Sequence, residues 1–182
     1  GGQRLRYWCA ASSTGEEPYT MAMTLADVLG IDADFRILAT DISTRVLAAA
    51  GAGRYNGQQL DTVPPALRSR YFTLVSETPG RTAEQRREAI WEVVPALRAH
   101  ISYHRLNLAQ PPYPMSGPFD AVFVRNVMIY FDQPVRQKLI HEVETLLSPN
   151  GFVVLGHAET LAGIDTTLRT LSPAVYAWKP QA

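Results

Sequence analysis

Leu5-Arg6-Tyr7-Trp8-Cys9-Ala10-Ala11-Ser12-Ser13-Thr14-Gly15-Glu16-Glu17-Pro18 runs from an apolar strand through a loop of small residues into the first turn of a helix. Pro18 suits the first helical position, and Tyr19, Ala22, Met23, Ala26 and Leu29 recur at helical spacing until Gly30 interrupts them. Phe35-Arg36-Ile37-Leu38-Ala39-Thr40 reads as a second strand, closed by Asp41. Ser43 then suits the N-cap of a helix through Val46, Leu47 and Ala50 that ends near Gly51 or Gly53. A β-α-β-α start with crossovers of this length demands parallel strands, so the fold class is α/β.

Working outward, Pro64-Pro65 opens a short helix carrying Leu67, Tyr71 and Phe72, and Ser76 to Glu88 is polar and contains Thr78-Pro79-Gly80. Trp91-Glu92-Val93-Val94 and Leu97 to Ile101 read as two strands of a hairpin, so the segment at about 55–102 is expected to be a small β-subdomain inserted into the sheet. Ile101 to Leu106 alternates as a third strand, leading to Asn107-Leu108 and the proline-rich loop from Pro111 to Pro118. Phe119-Asp120-Ala121-Val122-Phe123-Val124 is a buried fourth strand. Asp132 caps and Pro134 opens a helix whose Val135, Leu139, Ile140, Val143, Leu146 and Leu147 form one apolar stripe, ended by Pro149-Asn150-Gly151. Phe152 to Leu155 is a further buried strand. Ala174 to Trp178 is a terminal strand, expected to be antiparallel because only a short irregular link precedes it.

At 182 residues the chain fits one domain, read as spanning 1–182, with enough surface buried to need no cross-links. Its 17 basic and 17 acidic side chains cancel, which removes the electrostatic argument for nucleic acid or an anionic membrane as a partner. Cys9 is the single cysteine, so neither an internal disulfide nor a cysteine-rich zinc site can form, and no metal is expected. No apolar run reaches the roughly 18 residues that read as a membrane span, and no signal segment is legible, so a cytoplasmic location without membrane insertion is expected.

Polar residues gather where each parallel strand ends: Ser12 to Glu17 after the first, Asp41 after the second, Asn107 after the third, Arg125-Asn126 after the fourth. All four positions fall on one rim, the place where ligands sit in open α/β sheets, and an acid closing the second strand can accept hydrogen bonds from both ribose hydroxyls. Taken singly, Asp41 also suits a helix cap, Asn107 a turn and Arg125 a solvated side chain. The first loop lacks G-x-G-x-x-G, so close approach to a pyrophosphate is not provided for and a nicotinamide dehydrogenase is disfavoured. Glu16 and Glu17 sit at a helix N-terminus, where they stabilise the dipole by about 0.3–1 kcal/mol each and also favour a cationic ligand. S-adenosylmethionine, with ribose, adenine, sulfonium and ammonium but no phosphate, matches these residues better than ATP or NAD.

The runs Ala10 to Tyr19, Ala39-Thr40-Asp41-Ile42, Phe119 to Phe131 (ending Arg125-Asn126-Val127-Met128-Ile129-Tyr130-Phe131) and Gly156-His157-Ala158-Glu159 closely resemble the CheR-type chemotaxis receptor methyltransferases, in order and over nearly the whole chain. The resemblance implies a Rossmann-like methyltransferase sheet, mostly parallel with a terminal antiparallel strand. It implies S-adenosylmethionine as cofactor and S-adenosylhomocysteine as product, with methyl transfer to glutamate carboxylates on the cytoplasmic domain of chemoreceptors. Residue by residue, it implies that Glu17 and Asp41 hold the cofactor, Asp41 through the ribose with Ile42 beside it. Asn107 and Leu108 line the adenine, Arg125, Asn126 and Val127 flank the methionine end, and Tyr130 stands near the transferring methyl. His157 and Glu159 belong to the family signature and are read as framework.

Methyl transfer to a carboxylate needs no general base, because a glutamate with a pKa of about 4.3 is already ionised at neutral pH. The protein's task is alignment and exclusion of water. Tyr130 is expected to steer the incoming carboxylate by a hydrogen bond and Arg125 to offset its charge. Two departures from the family pattern stand out. The sequence begins immediately before the first strand, whereas family members carry a helical N-terminal domain, and the spacing between Phe72 and Trp91 is longer. The first motivates an alternative expectation: a cofactor-binding regulatory or partner-binding module without transferase activity.

Overall fold

The computed structural model describes residues 4–75, 82 and 87–179. In chain order its elements are β1 (Leu5–Cys9), α1 (Glu16–Leu29), β2 (Phe35–Asp41), α2 (Thr44–Ala52), β3 (Arg54–Asn56), α3 (Pro65–Tyr71), β4 (Phe72–Leu74) and β5 (Ile90–Val93). They continue with α4 (Pro95–Arg98), β6 (Ile101–Arg105), β7 (Phe119–Val124), a 3-10 turn (Met128–Tyr130), α5 (Gln133–Leu146), β8 (Leu147–Leu155), β9 (Leu168–Ser172) and β10 (Val175–Trp178).

Seven of the described strands form one sheet in the order β6-β2-β1-β7-β8-β10-β9. The pairs β1 with β2, β2 with β6, β1 with β7 and β7 with β8 are parallel, and β10 runs antiparallel to both β8 and β9. The chain therefore builds outward from β1 to β6 on one side, then returns to β1's other edge with β7. That reversal between β1 and β7 opens a crevice beyond the carboxyl ends of the strands, the place where open parallel sheets hold ligands.

Strand periodicity sorts the core into two layers. Trp8, Ala10, Val122, Val124, Val153 and Leu155 face Leu139, Ile140 and Val143 of α5. Cys9, Phe35 and Ile37 face Tyr19, Ala22, Met23 and Ala26 of α1, together with Leu97 of α4. Successive strand residues point to opposite faces, so β1 can be buried on both sides. Leu139, Ile140 and Val143 lose all solvent contact. Each such side chain contributes about 1.5–3 kcal/mol by leaving water, which fixes α5 across β7 and β8.

Several elements differ in detail from the sequence reading. Helix α1 starts at Glu16, placing Pro18 third instead of first. The first four helical N–H groups have no partner within the helix, so proline there removes no bond. Phe72 leaves α3 and opens β4, which pairs with the central β5, while β3 flanks β5 on its other side. This small antiparallel sheet replaces the expected hairpin. Leu97–Ile101 is not its second strand: Pro95 stands at the start of the helical turn α4, Leu97 is fully buried against α1's layer, and Ile101 begins the main-sheet strand β6. The polar segment Ser76 to Glu88, including Thr78-Pro79-Gly80, lies almost wholly outside the described residues.

At the carboxyl end, α5 stops at Leu146 and the chain is already extended through Pro149-Asn150-Gly151, the register against β7 shifting between Phe119 and Ala121. The last strand is antiparallel as expected, but the link before it contains β9, an edge strand whose Arg169 to Ser172 are exposed. No helix among the described residues is long and apolar enough to cross a membrane.

Candidate functional site

The loop after β1 is shaped by contacts from its neighbours. Ser12 N–H donates to Thr40 O at 2.8 Å, and Gly15 N–H closes a turn onto Ser12 O at 3.0 Å. Trp8 Nε1 donates to Thr40 Oγ1, which donates to Ala10 O, each at 2.9 Å, so the ends of β1 and β2 are locked together inside the core. Gly15 has φ +98°, and a Cβ there would stand 2.7 Å from Tyr55 Oη and 2.9 Å from Ala50 Cβ. Only glycine fits. Tyr55 in turn donates to Thr14 O at 2.8 Å, bracing the loop from the small sheet. Burial pushes its phenol far up, which keeps it a neutral donor.

Asp41 ends β2 with both carboxylate oxygens engaged by backbone. Oδ2 accepts from Ser13 N–H and Oδ1 from Ser43 N–H, each at 3.0 Å. The helix cap is Ser43, whose Oγ accepts from Val46 N–H at 3.5 Å. Asp41 is thus a bridge between two loops, and each of its oxygens retains a lone pair for a further donor. Ile42 is exposed beside it.

After β6, Asn107 Oδ1 accepts from Ala109 N–H at 3.1 Å, an Asx turn, and Leu108 is buried, its carbonyl accepting from Tyr113 Oη at 2.7 Å. After β7, Arg125 Nη1 meets Glu17 Oε2 at 2.5 Å, and the other oxygen of Glu17 accepts from Cys9 Sγ at 3.2 Å. Arg125 is therefore an ion-paired, half-buried group instead of a solvated one. Burial, then the Glu17 carboxylate, push the Cys9 thiol well up, so it is no nucleophile at neutral pH.

The turn that follows has Asn126 at φ +57°, with the backbone N–H groups of Asn126, Val127 and Met128 all aimed at the Glu159 carboxylate. Arg136 Nε holds the other end, donating to Met128 O and Phe131 O at 2.9 and 2.8 Å. Tyr130 stands at the outer end of this turn, 77% exposed.

These residues surround two adjoining cavities. One, of about 270 Å³, is walled by Ala10, Ala11, Asp41, Ile42, Leu106, Asn107, Leu108, Val127, Tyr130 and Phe131. The other, of about 530 Å³, is walled by Ala11, Ser12, Ser13, Glu16, Glu17, Asp41, Ile42, Arg125, Asn126, Val127 and Tyr130. They share Ala11, Asp41, Ile42, Val127 and Tyr130, so the two make one continuous cleft. The structure thus brings Glu17, Asp41, Ile42, Asn107, Leu108, Arg125, Asn126, Val127 and Tyr130 together on the rim. Sequence reasoning passed over Leu106 and Phe131, which add apolar wall, and it read Glu159 as framework. The signal for Glu159 is a carboxylate three residues beyond a glycine at a strand end, next to a turn rich in unpaired N–H groups.

A third cavity, of about 590 Å³, lies on the other side of Glu17 and Arg125, between α1 and the faces of β1, β7 and β8, and is lined mainly by Tyr7, Met21, Leu25, Phe123 and Phe152. Its walls are mainly apolar, and Glu16, Glu17 and Arg125 stand at the border it shares with the rim cleft. The rim cleft adds Asp41 and Asn126 to these: its three carboxylates and one guanidinium leave it net negative, and the N-terminus of α1 carries two of those acids. An anionic phosphate is disfavoured there, whereas a cation is favoured.

Comparison with known proteins gives a consistent picture. The family model described as CheR methyltransferase, SAM binding domain, matches residues 1–177. A probable chemotaxis protein methyltransferase of Rhizobium etli is 41% identical over 89% of this chain and 58% of its own length. The chemotaxis protein methyltransferase of Escherichia coli is 39% identical over 94% of this chain and 58% of its own. The chain therefore spans less than two thirds of these curated relatives. Among solved structures, a TehB-like SAM-dependent methyltransferase of Corynebacterium glutamicum superposes with TM-score 0.55 at 10% identity, covering 98% of this chain and 83% of its own. The glycopeptide N-methyltransferase MtfA complexed with sinefungin gives TM-score 0.51 at 15% identity over 93% of this chain and 51% of its own. These two share the Rossmann-like fold.

Proposed function

The chain belongs to the CheR methyltransferase family as its S-adenosylmethionine-binding domain, and from that membership we propose that it methylates glutamate side chains on the cytoplasmic domain of chemoreceptors, giving glutamate methyl esters and S-adenosylhomocysteine. The reading takes residues 1–182 as one catalytic domain with the segment at about 55–102 inserted, working in the cytoplasm. One observation carries it: Glu17, Asp41, Asn107, Arg125 to Val127 and Tyr130, which follow the ends of β1, β2, β6 and β7, wall a single cleft at the reversal of the sheet.

The residues present fit the cofactor. Asp41 has lone pairs for the two ribose hydroxyls. Leu106, Leu108, Val127 and Phe131 give a flat base an apolar slot, with Asn107 at its edge. Glu17 and Glu16 offer charge to an ammonium, and Arg125 offers it to a carboxylate. When bound, S-adenosylmethionine supplies a methyl group on positively charged sulfur, already activated for displacement.

The chain's own task is orientation. The glutamate oxygen must approach in line, so that the new C–O bond forms as the C–S bond breaks and its electron pair returns to sulfur. An ionised carboxylate needs no base, and no proton moves. Tyr130 stands at the mouth of both cavities, where its hydroxyl can donate to the entering carboxylate. Arg125 lies deeper, its guanidinium charge offsetting that of the carboxylate while its pairing with Glu17 keeps it aligned. Positioning of this kind is where most of the rate enhancement arises in such a displacement.

The test has two arms. Calorimetry with S-adenosylhomocysteine examines the cleft, and transfer of labelled methyl groups to receptor-containing membranes examines the chemistry. Binding together with transfer is expected, with the label released as methanol by mild base. Binding with no transfer to any receptor preparation would overturn the catalytic part of the reading. No binding at all would overturn the site.

A further inference from the structure

Beyond the residues that touch ligand or substrate on the proposed reading, the geometry points to Glu159 as a positioning residue that holds the Asn126–Met128 turn in its ligand-competent shape. Its carboxylate is buried and accepts four backbone N–H groups: Gly156 at 2.7 Å and Asn126 at 2.8 Å on Oε2, Met128 at 2.8 Å and Val127 at 2.9 Å on Oε1. Three successive N–H groups converge on one side chain only because Asn126 adopts φ +57°, a conformation that costs a non-glycine residue energy unless its surroundings impose it.

The same turn carries Asn126 and Val127 into the cleft and sets Tyr130 at its mouth. Gly156 completes the device. A Cβ at that position would stand 2.6 Å from Glu159 Oε2 and 3.1 Å from Asn126 N, so glycine is required for the carboxylate to come so close. Glu159 N–H also closes a turn on Gly156 O at 2.9 Å, which aims the side chain back at the strand end. The signature Gly156-His157-Ala158-Glu159 is thereby explained by its first and last members.

The chemistry dictates how substitution acts. Glutamine has nearly the same shape, yet it exchanges one oxygen for an NH2 that faces two N–H donors, so two bonds are replaced by repulsion. A general loss of packing would lower stability without altering the affinity of the molecules that remain folded. A positioning role changes that affinity. The experiment therefore titrates S-adenosylhomocysteine calorimetrically into the wild-type chain, E159Q, G156A and V143A, well below the melting temperature of each. V143A serves as a control because Val143, on the buried face of α5, packs in the core and lines neither compartment of the cleft.

E159Q and G156A are expected to raise Kd on the order of tenfold or more, the worth of one hydrogen bond to the ligand, with G156A doing so while the Glu159 charge is retained. V143A is expected to lose melting temperature with Kd unchanged. Because the inference rests on the proposed cofactor site, the wild-type titration separates the failures. Absence of wild-type binding removes the site and this role with it. Wild-type binding with E159Q and G156A both at wild-type Kd overturns the role of Glu159 alone.

Discussion

Replacing Asp41 by Asn keeps the shape of the side chain, removes its charge and turns one acceptor into a donor. In the native structure Oδ1 takes Ser43 N–H and Oδ2 takes Ser13 N–H, each at 3.0 Å, and an amide can satisfy only one of them. A donor left facing a donor costs about 1–3 kcal/mol. Asp41 is half-buried, so water relieves part of this and about 1–1.5 kcal/mol is expected, a melting temperature lower by roughly 2–6 °C for a chain of this size. The ligand feels a second effect. A hydrogen bond to a charged acceptor is worth about 1.5–3 kcal/mol, so losing one of the two proposed ribose contacts weakens S-adenosylhomocysteine by about 10- to 100-fold. The decisive assay is a cycle. Wild type and D41N are each titrated with S-adenosylhomocysteine and with its 2′-deoxy analogue. The hydroxyl deletion should cost the wild type about tenfold and D41N distinctly less, a coupling of about 1 kcal/mol. Equal penalties in the two proteins would refute the claim that Asp41 holds the ribose.

Tyr130→Phe should leave the Kd for S-adenosylhomocysteine within about twofold, because Tyr130 is largely exposed and its proposed role is toward the substrate; single-turnover transfer to receptor membranes should slow, and an unchanged rate removes the steering role. Gly15→Ala forces a side chain into φ +98° and against Tyr55 Oη, so chemical denaturation should report a loss of about 1–3 kcal/mol. Stability should also fall on the alkaline side. Burial raises the folded-state pKa of Cys9, Tyr19, Tyr55 and Tyr103, so above about pH 9 the unfolded chain releases protons that the folded one keeps. The native state then binds more protons, and unfolding free energy drops as pH rises. Melting temperatures from pH 7 to 10.5 measure this, and a flat or rising profile contradicts it. For the same reason the Cys9 thiol should react with iodoacetamide far more slowly in the native chain than in the denatured one.

What could be read without coordinates was whatever local chemistry dictates. Phe119 to Val124 is apolar except at half-buried Asp120 because β7 lies inside the sheet, and Asp41 declares itself by closing a strand ahead of a serine cap. Ser43 and Asp132 cap their helices as their side chains require. The misses share a physical cause, namely partners supplied from far along the chain. Leu97 is apolar in either a strand or a helical turn, and only Pro95 together with the pocket left by α1 decides for the turn. Strand β9 has four exposed residues, so no apolar pattern marks it, and it exists because β10 offers an edge. The sequence places Arg125 on the rim, with a solvated side chain as its alternative, and only α1, by bringing Glu17 to it, excludes that alternative. Glu159 was legible as a framework residue of the signature, but the turn it holds was not, because that task is written in backbone N–H groups, which every sequence possesses.

The two compartments of the cleft differ in kind, and the difference gives the site a direction. The smaller is walled mainly by Leu106, Leu108, Val127 and Phe131, the larger by Glu16, Glu17, Arg125 and Asn126. A ligand that is flat and apolar at one end and zwitterionic at the other gains in one orientation what it would lose in the reverse, since a buried unpaired charge costs several times what an apolar contact returns. Asp41 and Tyr130 border both compartments, so the proposed roles of these two residues put the ribose and the reacting carbon where the two meet. The two elements that form that junction are the loop tied by Asp41 and the turn tied by Glu159, each held by a carboxylate on backbone N–H groups. Such ties are short, and they place atoms better than long flexible side chains would. For the proposed displacement, which depends on three atoms standing in line, this placement would be the chain's principal contribution.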